Sequence, residues 1–417
     1  MSSPSSSLHF PKAHPTDQAK ARTIVLLALM AFMALSVAAW LYQQFSYAES
    51  LNHGIPIPDI ITVSKTFDNL WAAGSLDGEA NQFLGLSLLY GWTWAIHPSL
   101  CFLVNTALIM LCAIVYLKEF IRKQNLPAWT IVGVLGNPYL ALAMIGPNKE
   151  IPLLLLTLMY FKFAGSRNQG WVFPALIVCA LITIFREAYG FFLFGSTLML
   201  QLLQYRSNAY AILVCTGCAM VAAFFGALES LIPILARNSE VLEFISADNI
   251  AVGALAGALG LDPLSPTGGL ILFFLRLAYN ALSLGFFPAL ETTEGISWLG
   301  WSYWINGLSS LILLPACLAL LFGGKADRHP SAMCAAITIG TLFMISVSLF
   351  VQPRYLMPVL PFAVAAFASC SRQTQMRSLQ VGLISVLMIV GSYRLLDRAP
   401  LPSEPDNFPT PSYIIEQ

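Results

Sequence analysis

Residues 23–45, TIVLLALMAFMALSVAAWLYQQF, contain no charged side chain. About 20 mostly apolar residues suffice to carry a helix across a bilayer. A chain with such a run must satisfy every backbone polar group internally, so helix is the expected state. The run is too long and too uniformly apolar for a signal peptide, and no small-residue cleavage site follows it. It reads as a retained first span. Further apolar runs recur along the chain, whose 417 residues are 57% hydrophobic and only 10% charged. Soluble domains carry about 25% charged residues, so the composition excludes a soluble protein.

Charge placement orders these runs. Lys12, Lys20 and Arg22 precede the first span, which puts the N-terminus in the cytoplasm by the positive-inside rule. Residues 47–81 then form a long outside loop. The short stretch 82–97, with Trp92 and Trp94, reads as an interfacial helix; counting it as a span would place Lys118, Arg122 and Lys123 outside. Spans are expected at 99–117, 127–146, 151–164, 171–185, 189–204, 210–235, 303–323, 332–351, 355–370 and 379–394. The run 268–290, interrupted by Arg276 and Asn280, reads as a re-entrant or interfacial helix, or as one arm of a hairpin with 250–261. The expected fold is an all-α, polytopic transmembrane bundle of roughly eleven spans with a long first outside loop. A disordered cytoplasmic tail (1–21) precedes the transmembrane domain (22–396), and an outside tail (397–417) follows it.

The net charge is zero and no basic stripe is present, so nucleic acid is not an expected partner. The eight cysteines lie in or at the ends of apolar runs without disulfide-type spacing, and the five histidines show no metal-ligand spacing. No phosphate-cradling glycine motif occurs.

This topology gathers the unusual polar residues on the outside. The first loop supplies Asp59 and Asp77, the turn IGPNKEI supplies Lys149 and Glu150, the turn at 186–187 supplies Arg186 and Glu187, and QPRY supplies Arg354 and Tyr355; Arg276 joins from 268–290. Each has an ordinary alternative. Lys149–Glu150 could solvate a turn broken by Pro147, Arg186–Glu187 could be a local ion pair, and Arg354 could anchor a span at the interface. The convergence favours chemistry: arginine forks suit phosphate oxygens, and a carboxylate can take a proton from a hydroxyl.

In layout the chain resembles the polytopic glycosyltransferases of the GT-C type and the related O-antigen and exopolysaccharide polymerases. Three features carry the resemblance. DGEANQFLGLSLLYGW precedes a span containing Asn105, GPNKE places an acid in a short outside turn, and QPRYLMPVLP is similar to an R-Y-x-x-P-x-x-P pattern near the C-terminus of that class. The resemblance implies a first-loop base, Asp77 or Asp59, with Glu150 as second acid. It implies that Arg186 and Arg354 hold the carrier's phosphates, with Lys149, Arg276 and Tyr355 as further substrate contacts. No Asp-Glu pair directly follows the first span, as it does in many members, so both base candidates stand. The implied partners are a polyprenyl-linked sugar donor, a glycan acceptor, membrane lipid and other glycan-assembly proteins. No cofactor is assigned, with a divalent cation left open. The expected location is the cell inner membrane. The alternatives are a flippase for lipid-linked repeat units and a non-catalytic component of a glycan-synthesis complex.

Overall fold

The computed structural model describes residues 15–46, 84–97, 100–164, 169–203, 206–229, 260–262, 265–282, 291–292, 295–296, 298–323, 330–347 and 353–396. These residues form an all-helical bundle, apart from one two-residue antiparallel pair, Glu291–Thr292 with Gly295–Ile296. Among the described residues, three helices are long and apolar enough to cross a membrane, alongside several shorter apolar helices.

The first helix, α1 (Pro15–Ser46), lies at the periphery, with Leu26, Leu27 and Met30 exposed. Apolar side chains facing outward along its length fit a hydrocarbon surrounding. The 13-residue α2 (Leu84–Ile96) packs on α3 (Leu100–Tyr116) through Leu86, Tyr90 and Cys101. A π-helical turn, Leu117–Arg122, extends α3 and ends in Lys123, whose Nζ pairs with Glu119 Oε2 at 2.7 Å. Asn125 follows in the left-handed conformation, φ 56°, which asparagine tolerates after a helix end.

The run 127–146, expected as one span, is two short helices, α4 (Thr130–Leu135) and α5 (Pro138–Ala143). The cause is local. Pro138 cannot continue α4, and Asn137 turns extended so that its side chain caps the new helix by accepting from Tyr139 N at 3.0 Å.

Next come α6 (Glu150–Ala164), α7 (Val172–Phe185), α8 (Glu187–Leu202) and α9 (Ser207–Ala223), the last followed by the short α10 (Phe225–Glu229). Helix α11 (Pro266–Leu282) leads to α12 (Trp298–Phe322), which carries Pro315 inside it, and then to α13 (Pro330–Val347). A 3-10 segment, Pro353–Val359, runs directly into α14 (Leu360–Ser369), and α15 (Arg372–Leu396) is the final described helix. Ser378 Oγ donates to the Ile312 carbonyl at 2.5 Å and Gly382 also lies on Ile312, so two small residues one turn apart let α15 approach α12 closely.

Most core residues form one cluster. Within it Phe120, Phe161 and Phe362 pack with ring centres 4.8 to 5.9 Å apart. Phe120 belongs to the charged LKEFIR turn and Phe161 precedes Lys162, so Lys118, Arg122, Lys123 and Lys162 share one end of the bundle. Glu150 lies twelve residues before Lys162 on α6, about 18 Å along the axis. The acid and the cation-rich turn therefore occupy different ends.

The α7–α8 hairpin depends on Gly190, where a Cβ would meet the Cys179 carbonyl oxygen and the Thr183 hydroxyl, whereas Gly195 has open space around it. Gly190→Ala should therefore destabilise the protein by about 1–3 kcal/mol in detergent unfolding. Gly195→Ala should be neutral or gain up to about 1 kcal/mol.

Candidate functional site

Three helix junctions, far apart in sequence, meet at the end of the bundle where α6 begins. The first is the turn before α6. Asn148 Oδ1 accepts from Ile151 N at 3.0 Å and its Nδ2 donates to the carbonyls of Ala143 and Gly146, so one side chain both caps α6 and closes the turn behind it. This fixes Glu150 in the first helical turn, where the helix dipole favours a carboxylate. Glu150 is only 4% exposed. A solvated turn does not describe it.

The second junction is Arg186, a single extended residue (φ −152°, ψ 99°) between α7 and α8. Its N–H donates to Ile182 O at 2.8 Å and its carbonyl accepts from Tyr189 N at 3.1 Å, so it closes one helix and opens the next. Its Nη2 lies 3.6 Å from Glu150 Oε1. The guanidinium thus crosses between helices to an acid 36 positions away in sequence. The third junction is the 3-10 segment, where the Tyr355 ring lies under the Arg186 guanidinium at 4.2 Å. Stacking of a guanidinium on an aromatic face is worth ~2 kcal/mol when desolvated.

A second layer holds the first. Asn105 is fully buried on α3, and its Nδ2 donates to the carbonyls of Ala143 (3.3 Å), Met144 (3.0 Å) and Gly146 (3.0 Å). Its Oδ1 accepts from the Tyr90 hydroxyl at 2.6 Å. Two amide hydrogens serving three carbonyls fasten α3 to the end of α5, and the Tyr90 bond adds α2. Tyr189, three residues into α8 from Arg186, is buried as well.

The structure thus joins Glu150, Arg186 and Tyr355 directly. Lys149 lies half-buried beside Glu150 in the same turn, and Arg354 precedes Tyr355 in the 3-10 segment. Asp59 and Asp77 lie outside the described residues. Arg276 is buried on α11, away from these contacts. The IGPNKEI turn already set Asn148 beside Lys149 and Glu150, whereas Tyr90 and Tyr189 escaped sequence reasoning. Asn148 had a local signal, an asparagine three residues before a helix N–H; the two tyrosines had none beyond being polar in apolar runs. Among the described residues, no group of three or more His, Cys, Asp or Glu is placed to hold a metal ion.

Chemically, the arrangement offers one carboxylate that could accept a proton, one guanidinium that could bind a phosphate, and an aromatic face. The Glu150 side chain is 5% and the Arg186 side chain 19% exposed, so Arg186 holds the more open side. In a double-mutant cycle of Glu150→Gln and Arg186→Met, unfolding should report a favourable coupling of roughly 1–3 kcal/mol. A coupling near zero would mean that the two side chains merely lie near one another. Comparison of the chain with protein-family models, with curated proteins and with solved structures finds no match in any of the three.

Proposed function

We propose that this protein is an integral membrane glycosyltransferase of the GT-C-like kind. It moves a sugar or repeat unit from a polyprenyl-phosphate-linked donor to a growing polysaccharide or lipid glycan at the outer face of the inner membrane. The observation that carries this reading is the meeting of Glu150, Arg186 and Tyr355 from three remote junctions at one end of an apolar bundle. Supporting it is the cation-rich turn 117–123 at a different end, which the positive-inside rule assigns to the cytoplasm.

In this reaction the acceptor hydroxyl oxygen attacks the donor's anomeric carbon. The bond from that carbon to the phosphate oxygen breaks, and the leaving polyprenyl phosphate takes the electron pair. The hydroxyl proton passes to a carboxylate. Glu150 is the described acid placed for that role, and Asp77 and Asp59 remain the first-loop candidates. Arg186, with Lys149 and Arg354 in the adjoining turns, neutralises the departing phosphate, where charge grows most. Donor binding draws Arg186 from Glu150 toward the phosphate and frees the carboxylate to accept the proton, so the resting ion pair keeps the base masked until donor arrives.

The second reading is a transporter of the same lipid-linked glycan. It is favoured by the polar pair Arg276 and Asn280, buried within the bundle. The two readings separate in cells carrying Glu150→Gln at normal membrane levels. Loss of a general base costs about 100- to 10,000-fold in rate, so transfer predicts lost or shortened glycan with lipid-linked donor accumulating on the outer leaflet. Accumulation on the inner leaflet would instead indicate transport. Unchanged glycan from Glu150→Gln and from Arg186→Ala would refute the transfer reading.

A further inference from the structure

Helix α11 buries two polar side chains beside the apolar Leu272 and Phe273. Leu270, Ile271 and Phe274 are exposed, whereas Arg276 and Asn280, one turn apart, face the bundle at 4% and 0% exposure. The helix bridges two neighbours near their ends. A Cβ on Gly269 would meet the backbone of Ala222, next to last in α9, and Asn280 Nδ2 donates at 3.3 Å to Ser346 Oγ, next to last in α13. Ser207, at the start of α9, bonds the Leu321 carbonyl at the end of α12, from which the chain leads to the start of α13. Helix α11 thus joins the last turn of α9 to the last turn of α13.

The buried face of α11 is incompletely satisfied. Among the described residues, Arg276 Nε and Asn280 Oδ1 have no hydrogen-bond partner and no carboxylate pairs with the guanidinium. Arginine does not shed its proton in proteins, so the charge persists. A buried cation without an anion is strongly unfavourable, and ionisable groups held inside membrane bundles mark ligand paths. Among the described residues nothing supplies that anion.

We propose that Arg276, with Asn280 beside it where α11 crosses the ends of α9 and α13, forms an anion site for the phosphate group of an amphiphilic ligand. The planar guanidinium fork matches phosphate oxygens. A half-turn of the Asn280 amide replaces its free acceptor with a donor directed to the same anion. The apolar outer face of α11 suits the acyl or prenyl chain of such a ligand. This site does not rest on glycosyl transfer, because it follows from the burial of Arg276 and Asn280 whatever reaction the protein performs.

The test uses the full chain purified in a neutral maltoside detergent, with thermal unfolding followed during titration by dodecyl phosphate or inorganic phosphate. Dodecyl phosphate should raise Tm saturably, and Arg276→Leu should weaken its apparent affinity roughly ten- to hundredfold. If only dodecyl phosphate acts, the site takes a lipid headgroup; if inorganic phosphate acts equally well, it takes the free anion. Should Arg276→Leu fail to fold, Asn280→Ala keeps the charge and should weaken binding roughly two- to tenfold. No saturable shift with either phosphate, or equal affinity in the variants and the wild type, would overturn the site. Glycan output plays no part in this readout, so failure of the transferase reading would leave the result intact.

Discussion

The ion pair between Glu150 and Arg186 is the interaction on which the organised end of this bundle depends. A carboxylate removed from water requires a cation, a helix N-terminus, or both. Glu150 has both, because it starts α6 and lies 3.6 Å from Arg186. Arg186 in turn stands at the junction of α7 and α8 and stacks on Tyr355. One charge pair therefore sets the relative positions of α6, the α7–α8 hairpin and the 3-10 segment leading to α14. Asn105, bound to three carbonyls of the turn before α6, keeps the acid from sliding along its helix.

Lipid outside the bundle changes what burial means. The exposed faces of α1 and α15 are apolar, with Leu26 and Met30 on one helix and Leu383 and Leu387 on the other. The polar atoms are inside: Asn105, Glu150, Arg276 and Asn280 are all buried. In hydrocarbon, apolar packing alone gives little preference for one arrangement of helices over another, so hydrogen bonds and close approach of small residues determine the register. The Asn105 clamp, the Ser378–Ile312 bond and the close contact at Gly190 are such determinants.

Much of this was legible in the sequence, and for identifiable reasons. Charge-free runs announce helices because no other open structure survives in lipid, and the expected segments at 23–45, 99–117 and 332–351 appear as α1, α3 and α13. Glu150, Arg186 and Tyr355 stood out because charge is costly in such a chain. Their pairing was not legible, since residues 36 and 169 positions apart are joined only by tertiary packing, and Glu187 offered Arg186 a nearer partner in sequence. The break of the run 127–146 into two helices was not legible in hydropathy, which ignores the Asn137–Pro138 step. Tyr90 was hidden in an aromatic stretch whose composition suits an interface belt equally well.

The proposed transferase requires the Glu150–Arg186 end of the bundle to face outward and the cation-rich turn 117–123 to face the cytoplasm. The most direct test is the sidedness of Lys149→Cys and Lys123→Cys, each in a background lacking the eight native cysteines, labelled with a membrane-impermeant thiol reagent. In spheroplasts, position 149 should label and position 123 should not; in inverted membrane vesicles the pattern should reverse. Labelling of both positions from the same side, or of position 123 alone in spheroplasts, would contradict the account.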